Sequence, residues 1–222
     1  KSKGMEAASN AGIKATNGEL IVIHDDDDFL DRTFLQKAIS YLQYFSHLES
    51  IRGVAVETEK VLESIKNNNI VEDRRDIMTN YDTNYRVISL SKLTRYNQIA
   101  VIGFIYKRSA LRSIGMYNEN FVVAGDYDFN IRFCLKYDVV ILHEALAFYS
   151  FRKKVGNLSY ENSVSDYKRM ELYKQLLSNK NLRQSNLSSA IIIGNNASKA
   201  DLTIFIKFNN ILKTLIKKIF RI

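Results

Sequence analysis

The sequence predicts an α/β protein, an open sheet flanked by helices and followed by a helical C-terminal extension. Three observations predict it. Apolar runs of strand length alternate with segments whose apolar residues recur at helical spacing. One such run, Leu20-Ile21-Val22-Ile23-His24, ends in four consecutive carboxylates, Asp25 to Asp28. Adjacent Asp residues repel and suit neither strand nor helix, so they belong to a loop beyond the strand's carboxyl end, where open α/β sheets bind ligands. The third observation is a change of character past Ser163, after which helical patterns are joined by a polar, Asn- and Ser-rich connection.

Composition narrows the class. With 222 residues, 46% of them hydrophobic, the chain can bury one sizeable core and carry an appendage. A formal charge of +8 points to anionic partners: nucleotides, nucleic acid or an acidic membrane surface. Cys134 is the sole cysteine, which excludes an internal disulfide framework and points to a reducing compartment. It reads as a small apolar helix residue. There is no proline, so turns must use Gly, Asn, Asp and Ser. No signal peptide is visible and no apolar run is long enough to span a bilayer. The first residue is Lys, from which a longer parent chain is expected.

In chain order, Ser2 to Thr16 is expected to form a helix with a small-residue face (Ala8, Gly12, Ala15), stopped by Asn17-Gly18. Glu19 to His24 follows as a buried strand. Arg32 to Leu48 is an amphipathic helix, with Phe34, Leu35, Ala38, Ile39, Leu42 and Phe45 at helical spacing. Ile51 to Thr58 is strand-like. Glu59 to Asn84 is polar and lacks periodicity, and is expected to wander over the surface. Short helices are expected over Leu90 to Asn97 and Ser109 to Ile114, the second closed by Gly115. Ile99 to Tyr106 is a strand, Asp126 to Tyr137 a helix, and Val139 to Phe151 one or two strands. Tyr167 to Leu177 again reads as a helix.

The acidic cluster is the chemical centre of this pattern. Alternate Asp side chains beyond a strand end can converge on a hard divalent cation, which prefers oxygen ligands. The competing reading of the cluster is a solvated acidic loop.

Two blocks resemble the family 2 glycosyltransferases of the GT-A fold. The first is Gly4-Met5-Glu6-Ala7-Ala8-Ser9-Asn10-Ala11-Gly12-Ile13-Lys14-Ala15-Thr16-Asn17-Gly18-Glu19, then the strand and the Asp cluster. That family shows a small-residue helix with Asn and Gly, then Ala-x-Gly-Glu, then a strand ending in Asp-x-Asp-Asp. The second holds Lys107-Arg108, Ile114-Gly115-Met116-Tyr117-Asn118-Glu119 and Gly125-Asp126-Tyr127-Asp128-Phe129-Asn130-Ile131-Arg132. It resembles the family's basic pair, its Ile-Gly-x-aromatic-(Asp/Asn)-Glu turn and its Glu-Asp-x-(Asp/Glu)-aromatic-x-x-Arg segment. The likeness runs over residues 4 to 152.

The resemblance implies a Rossmann-like mixed sheet flanked by helices over residues 1–160, in part a GT-A domain, and a helical extension with a basic tail helix over 161–222. It implies an inverting, metal-dependent transfer of sugar from a nucleotide-diphosphate sugar to a saccharide or lipid-linked acceptor, in surface polysaccharide synthesis. Mn²⁺ or Mg²⁺ is the implied cofactor, held by Asp27 with Asp25. Asp26 lies nearer the donor's ribose, and the register of four Asp is open by one residue. Asp28 is either part of the pattern or a helix N-cap or turn carboxylate. Asp126 matches the general base, although a helix amino terminus lowers basicity unless burial or an acidic neighbour offsets it. Asp128 is expected to be structural or acceptor-facing, and Arg132 to pair with a core carboxylate. His24 is expected to support the cluster from behind, and Lys107-Arg108 to pack at a strand end.

Three departures stand out. The strand, helix and second strand that grip base and ribose in the family would precede Lys1. The Glu before the second block's Asp is Gly125, and no His follows the last strand, so Lys153 or Lys154 is expected to meet the diphosphate. The alternative to an enzyme is a truncated, non-catalytic GT-A remnant or partner-binding domain. A nucleotidyltransferase also clusters Asp on an α/β sheet, but it needs no helix-opening Asp like Asp126. The expected place is cytoplasmic, or peripheral on the inner face of the cell membrane, with no nucleic-acid partner.

The tail supports that last expectation. Phe205, Phe208, Leu212, Leu215, Ile219 and Ile222 share one helical face, and Lys207, Lys213, Lys217, Lys218 and Arg221 flank it. Such a helix suits an anionic membrane surface, each cation contributing about 1 kcal/mol, the alternative being a helix packed back on the domain or on a partner subunit. In co-sedimentation the chain is expected to bind anionic but not neutral vesicles and to lose binding in salt or on deletion after Asp201. Equal sedimentation of full-length and deleted chains would refute the anchor.

Overall fold

The computed structural model describes residues 4–66, 69–79, 81–121 and 123–152, with single positions at 172, 175, 176 and 179. The chain divides into two units, Lys1–Gln175 and Leu176–Ile222. The boundary expected at 160/161, the helix expected over Tyr167 to Leu177 apart from those single positions, the tail helix and Lys153 lie outside the described residues.

In the first unit, helix α1 (Met5–Ala15) leads into strand β1 (Leu20–Val22) and the acidic loop. Strand β2 (Phe29–Leu30) and helix α2 (Phe34–Tyr44) come next. Strand β3 (Ile51–Lys66) turns into β4 (Asn69–Ile77). After helix α3 (Leu90–Leu93) come β5 (Phe104–Lys107), a 3₁₀ turn (Arg108–Ala110) and α4 (Leu111–Ile114). Helix α5 (Gly125–Cys134) and the long β6 (Asp138–Arg152) complete the unit.

The sheet order is β1-β5-β3-β6-β2, with β4 on β3. β3 and β6 run parallel and every other pair is antiparallel, so the sheet is mixed. Strand alternation sends neighbouring side chains to opposite faces. On β5, Ile105 joins Phe34, Ala38 and Leu42 of α2 in one core. Phe104 and Tyr106 pack instead on Phe133 of α5, and Phe129 lies against Tyr106. Helices therefore cover both faces, and each fully buried Phe contributes about 1.5–3 kcal/mol.

The wandering segment expected over Glu59 to Asn84 is in large part a β-hairpin. β3 runs eight residues past Thr58, and β4 pairs back along it. Periodicity was silent because β4 has almost no buried face, its residues being exposed except Asp76. Cross-strand polar pairs take over: Asp73 receives Lys66 Nζ at 2.8 Å and Ser64 Oγ at 2.9 Å, and Arg75 faces Glu59. The strand expected from Ile99 starts only at Phe104. Residues 100–104 turn instead, with Gly103 N–H on Ala100 O, and glycine is needed at 103 because a Cβ there would strike Thr58 Oγ1 of β3. The other expected ends shift by a few residues, and Gly115 closes α4 in the left-handed region at φ 75°.

Asn10 of α1 ties the two motif blocks together. Its Oδ1 accepts the Tyr117 N–H at 3.0 Å, and its Nδ2 donates to Tyr117 O at 2.9 Å and Glu119 Oε1 at 2.8 Å. Asn10→Ala leaves both buried Tyr117 backbone groups unsatisfied. It is expected to cost about 1–3 kcal/mol in urea denaturation, and a change within about 0.5 kcal/mol, the range of an ordinary surface substitution, would mean that water replaces the amide.

Candidate functional site

The acidic loop connects β1 to β2. Asp26 and Asp27 form its turn, closed by the Asp28 N–H on Asp25 O at 3.3 Å. His24 braces it from behind, its Nε2 lying 3.1 Å from Asp28 O. Asp28 is only 8% exposed and its Oδ1 accepts the Ser150 N–H of β6 at 2.9 Å. The N-cap reading of Asp28 therefore fails, since α2 begins only at Phe34; it is Asp31 that receives the Thr33 N–H before that helix. Asp27 meets Arg152 Nη2 at 2.7 Å, and Arg152 also faces Glu63 at 3.5 Å. Asp25 holds its proton more tightly than usual, first through burial, then through repulsion from Asp27 and Asp26.

The second carboxylate centre is the amino end of α5. Asp126 lies in the first turn, recessed yet partly open to solvent, and receives Asn97 Nδ2 at 2.7 Å. Asn130 in turn donates to Asn97 Oδ1 at 3.0 Å, which fixes the amide. Burial raises the proton affinity of Asp126 more than the helix N–H groups and Asn97 lower it. The opposing effects weighed from sequence are thus decided by burial. Asp128 is fully buried and paired with Arg132 at 2.7 Å, and Arg132 also donates to Ile114 O and Met116 O. Asp128 is therefore structural, and Arg132 binds α5 to the turn after α4.

Tyr149 of β6 has its phenol pushed up by burial and by the negative charges of Asp28, Asp27, Asp25 and Asp126 together. Beside the loop lies a groove of about 1110 Å³ between α1 and β1, lined by Ala8, Gly12, Thr16, Ile21, His24 and Asp25. Arg108 also lines it but is spent on structure, donating to Gly18 O, Ile13 O and Thr16 Oγ1 at the end of α1. Lys107-Arg108 thus packs at a strand end. Cys134 is inert, its thiol pushed up to about 12 by burial.

Among the described residues, no three His, Cys, Asp or Glu side chains form a cation-holding cluster, and no helix is long and apolar enough to cross a membrane. Asn97 and Tyr149 escaped the sequence reading: neither lies in a motif of charged residues, and only the fold brings them to the carboxylates.

Comparison with known proteins fits this geometry. The family model described as glycosyl transferase family 2 matches residues 1–114, just over half of the chain, and the chain belongs to that family. Its fold is that of the GT-A glycosyltransferases. S. aureus TarS superimposes with a TM-score of 0.51 at 14% identity, over 86% of this chain and 29% of that one. Its 1–349 portion gives 0.51 at 14%, over 85% and 48%. The chain therefore spans less than half the length of these two structures. The mannosyltransferase PcManGT of Pyrobaculum calidifontis, in complex with GDP-Man and Mn²⁺, aligns at 13% identity over 99% and 67%, with a TM-score of 0.43. No curated protein matches.

A pH dependence arises from Asp28. Burial, with the neighbouring Asp27 and Asp25 charges adding to it, pushes its carboxyl from 3.8 up to about 7. Between these values the folded chain keeps a proton that the unfolded chain has lost, so stability falls as pH rises through that window. Asp28→Asn keeps the acceptor for Ser150 without the charge. Its urea midpoint is expected to change less between pH 4 and pH 8 than that of the wild type; parallel profiles would show that Asp28 ionises freely in the folded chain.

Proposed function

We propose that the chain is the catalytic part of an inverting glycosyltransferase, moving a sugar from a nucleotide-diphosphate sugar to a saccharide or lipid-linked acceptor in surface polysaccharide synthesis. The observation that carries this reading is Asp126, recessed at the amino end of α5 and held by Asn97 at 2.7 Å, in a family 2 chain whose acidic loop follows β1. The donor lies along the α1–β1 groove, its ribose toward Asp26 and its diphosphate toward Asp25 and Asp27. Lys153 meets the diphosphate. The acceptor hydroxyl lies at Asp126.

The residues fit a divalent cation, Mn²⁺ or Mg²⁺. Asp25 and Asp27 offer only oxygen donors, and the mutual repulsion that raises Asp25 is what a hard cation relieves. Asp25 and Asp27 would hold the ion, and Arg152 keeps Asp27 oriented. When bound, the ion neutralises charge on the leaving diphosphate. Asp126 does the rest of the proton work. The acceptor oxygen attacks the anomeric carbon as the carbon–diphosphate bond breaks, and the hydroxyl proton passes to Asp126, inverting the centre. Burial poises Asp126 for this, because a base with raised proton affinity takes a proton more readily. The acceptor is met at the cytoplasmic face of the membrane, where the tail holds the chain, and nucleic acid has no part in this chemistry.

Asp126→Asn is expected to lower turnover by about 10²-fold or more with donor binding nearly unchanged. Asp27→Asn and excess chelator should each abolish transfer with the fold intact by circular dichroism. Turnover of Asp126→Asn within a few-fold of wild type would remove the base, and full activity in chelator would remove the metal.

A further inference from the structure

Glu6 is a buried carboxyl group that the proposed chemistry leaves unused. It lies in the first turn of α1 and is 4% exposed. The space it fills belongs to another helix. A Cβ built on Gly125 would fall 2.7 Å from Glu6 Cδ and closer still to Oε1, while Oε2 lies toward Gly4. Glu6 accepts hydrogen bonds from its own N–H and from the N–H of Gly125, so it caps two helices at once.

Helix α5 needs that outside cap. Its N-cap residue is Ala124, which has no side-chain acceptor and sits in the left-handed region at φ 61°, a strained place for a residue with a Cβ. Glycine at 125 admits the Glu6 carboxyl directly beneath the residue that precedes Asp126. We infer that Glu6 is a positioning residue for Asp126: its carboxylate holds the first turn of α5 and supplies the negative charge against which Asp126 takes its proton. The inference rests on the reading of Asp126 as the base.

The electrostatics bear on the same pair. Burial raises the proton affinity of Glu6, and the Asp126 charge raises it further; repulsion between two carboxylates acts on both. The other groups facing Asp126 are Asn97 before β5, Tyr117 ahead of α5 and Tyr149 of β6. Neither tyrosine is charged near neutral pH, since burial holds both phenols above their usual value. Arg132, the cation near Tyr117, is spent on Asp128. Glu6 is thus an ionisable neighbour of Asp126 whose charge a single substitution removes.

The test is Glu6→Gln in the full chain. The amide keeps the acceptor for Gly125 and removes the charge. Titration of labelled Asp carboxyls by NMR, with Asp126→Asn assigning the signal, is expected to show the Asp126 midpoint at lower pH. The acid limb of the pH–rate profile should move the same way, and turnover at the optimum should fall about three- to tenfold as the base weakens, with donor KM unchanged. Gly125→Ala should lower Tm in the wild type and be tolerated in Glu6→Ala, which vacates the space. An Asp126 midpoint unmoved in folded Glu6→Gln overturns the inference. A residual activity of Asp126→Asn near wild type would instead remove the base, while the NMR midpoint would still report the coupling.

Discussion

Strand β6 is the constraint on which the site depends. It lies parallel to β3 along nearly its whole length, with register shifts near Val56 and Thr58. Bulges of this kind bend a strand and re-aim its side chains. Its far end therefore brings Tyr149, Ser150 and Arg152 beneath the acidic loop. β2 pairs with β6 only at Phe29 and Leu30. Where that short ladder stops, the Asp28 carboxylate takes the Ser150 N–H in its place. The loop is thereby held to the sheet by a side chain that continues the pairing its backbone abandons.

Carboxylates gathered in one place are costly, and the surrounding polar groups show how the fold sustains them. Five buried or half-buried acidic groups have a defined donor: Ser150 N–H for Asp28, Arg152 for Asp27, Arg132 for Asp128, Asn97 for Asp126 and the Gly125 N–H for Glu6. Donors of opposite charge fall to Asp27 and Asp128, which they hold in place. Neutral donors fall to Asp28, Asp126 and Glu6, which keep raised proton affinity. Burial disfavours the charged form, and a neutral donor offsets that less than a cation does.

The likeness to family 2 glycosyltransferases acquires a physical meaning through Asn10. One block supplies the amide and the other the Tyr117 backbone that it brackets, so the helix before the acidic loop and the turn before α5 form one unit. A third contact joins the same two elements, with Glu6 under Gly125. Relative placement of acidic loop and Asp126 is set by these α1 contacts as much as by the sheet.

The sequence alone determined the helices and strands with a one-sided apolar pattern, the acidic loop at a strand end, and Asp126 at the start of a helix. Burial of one face leaves a period in the residues, and that period is readable. It could not determine the β3–β4 hairpin, whose exposed strand leaves no period. Nor could it show Asn97, Tyr149 or Glu6 near the carboxylates, since their roles come from interactions across 23 residues or more of chain. Tertiary structure also decided the basicity of Asp126. Helix dipole and burial act on it in opposite directions, and only the packing around α5 sets which is larger.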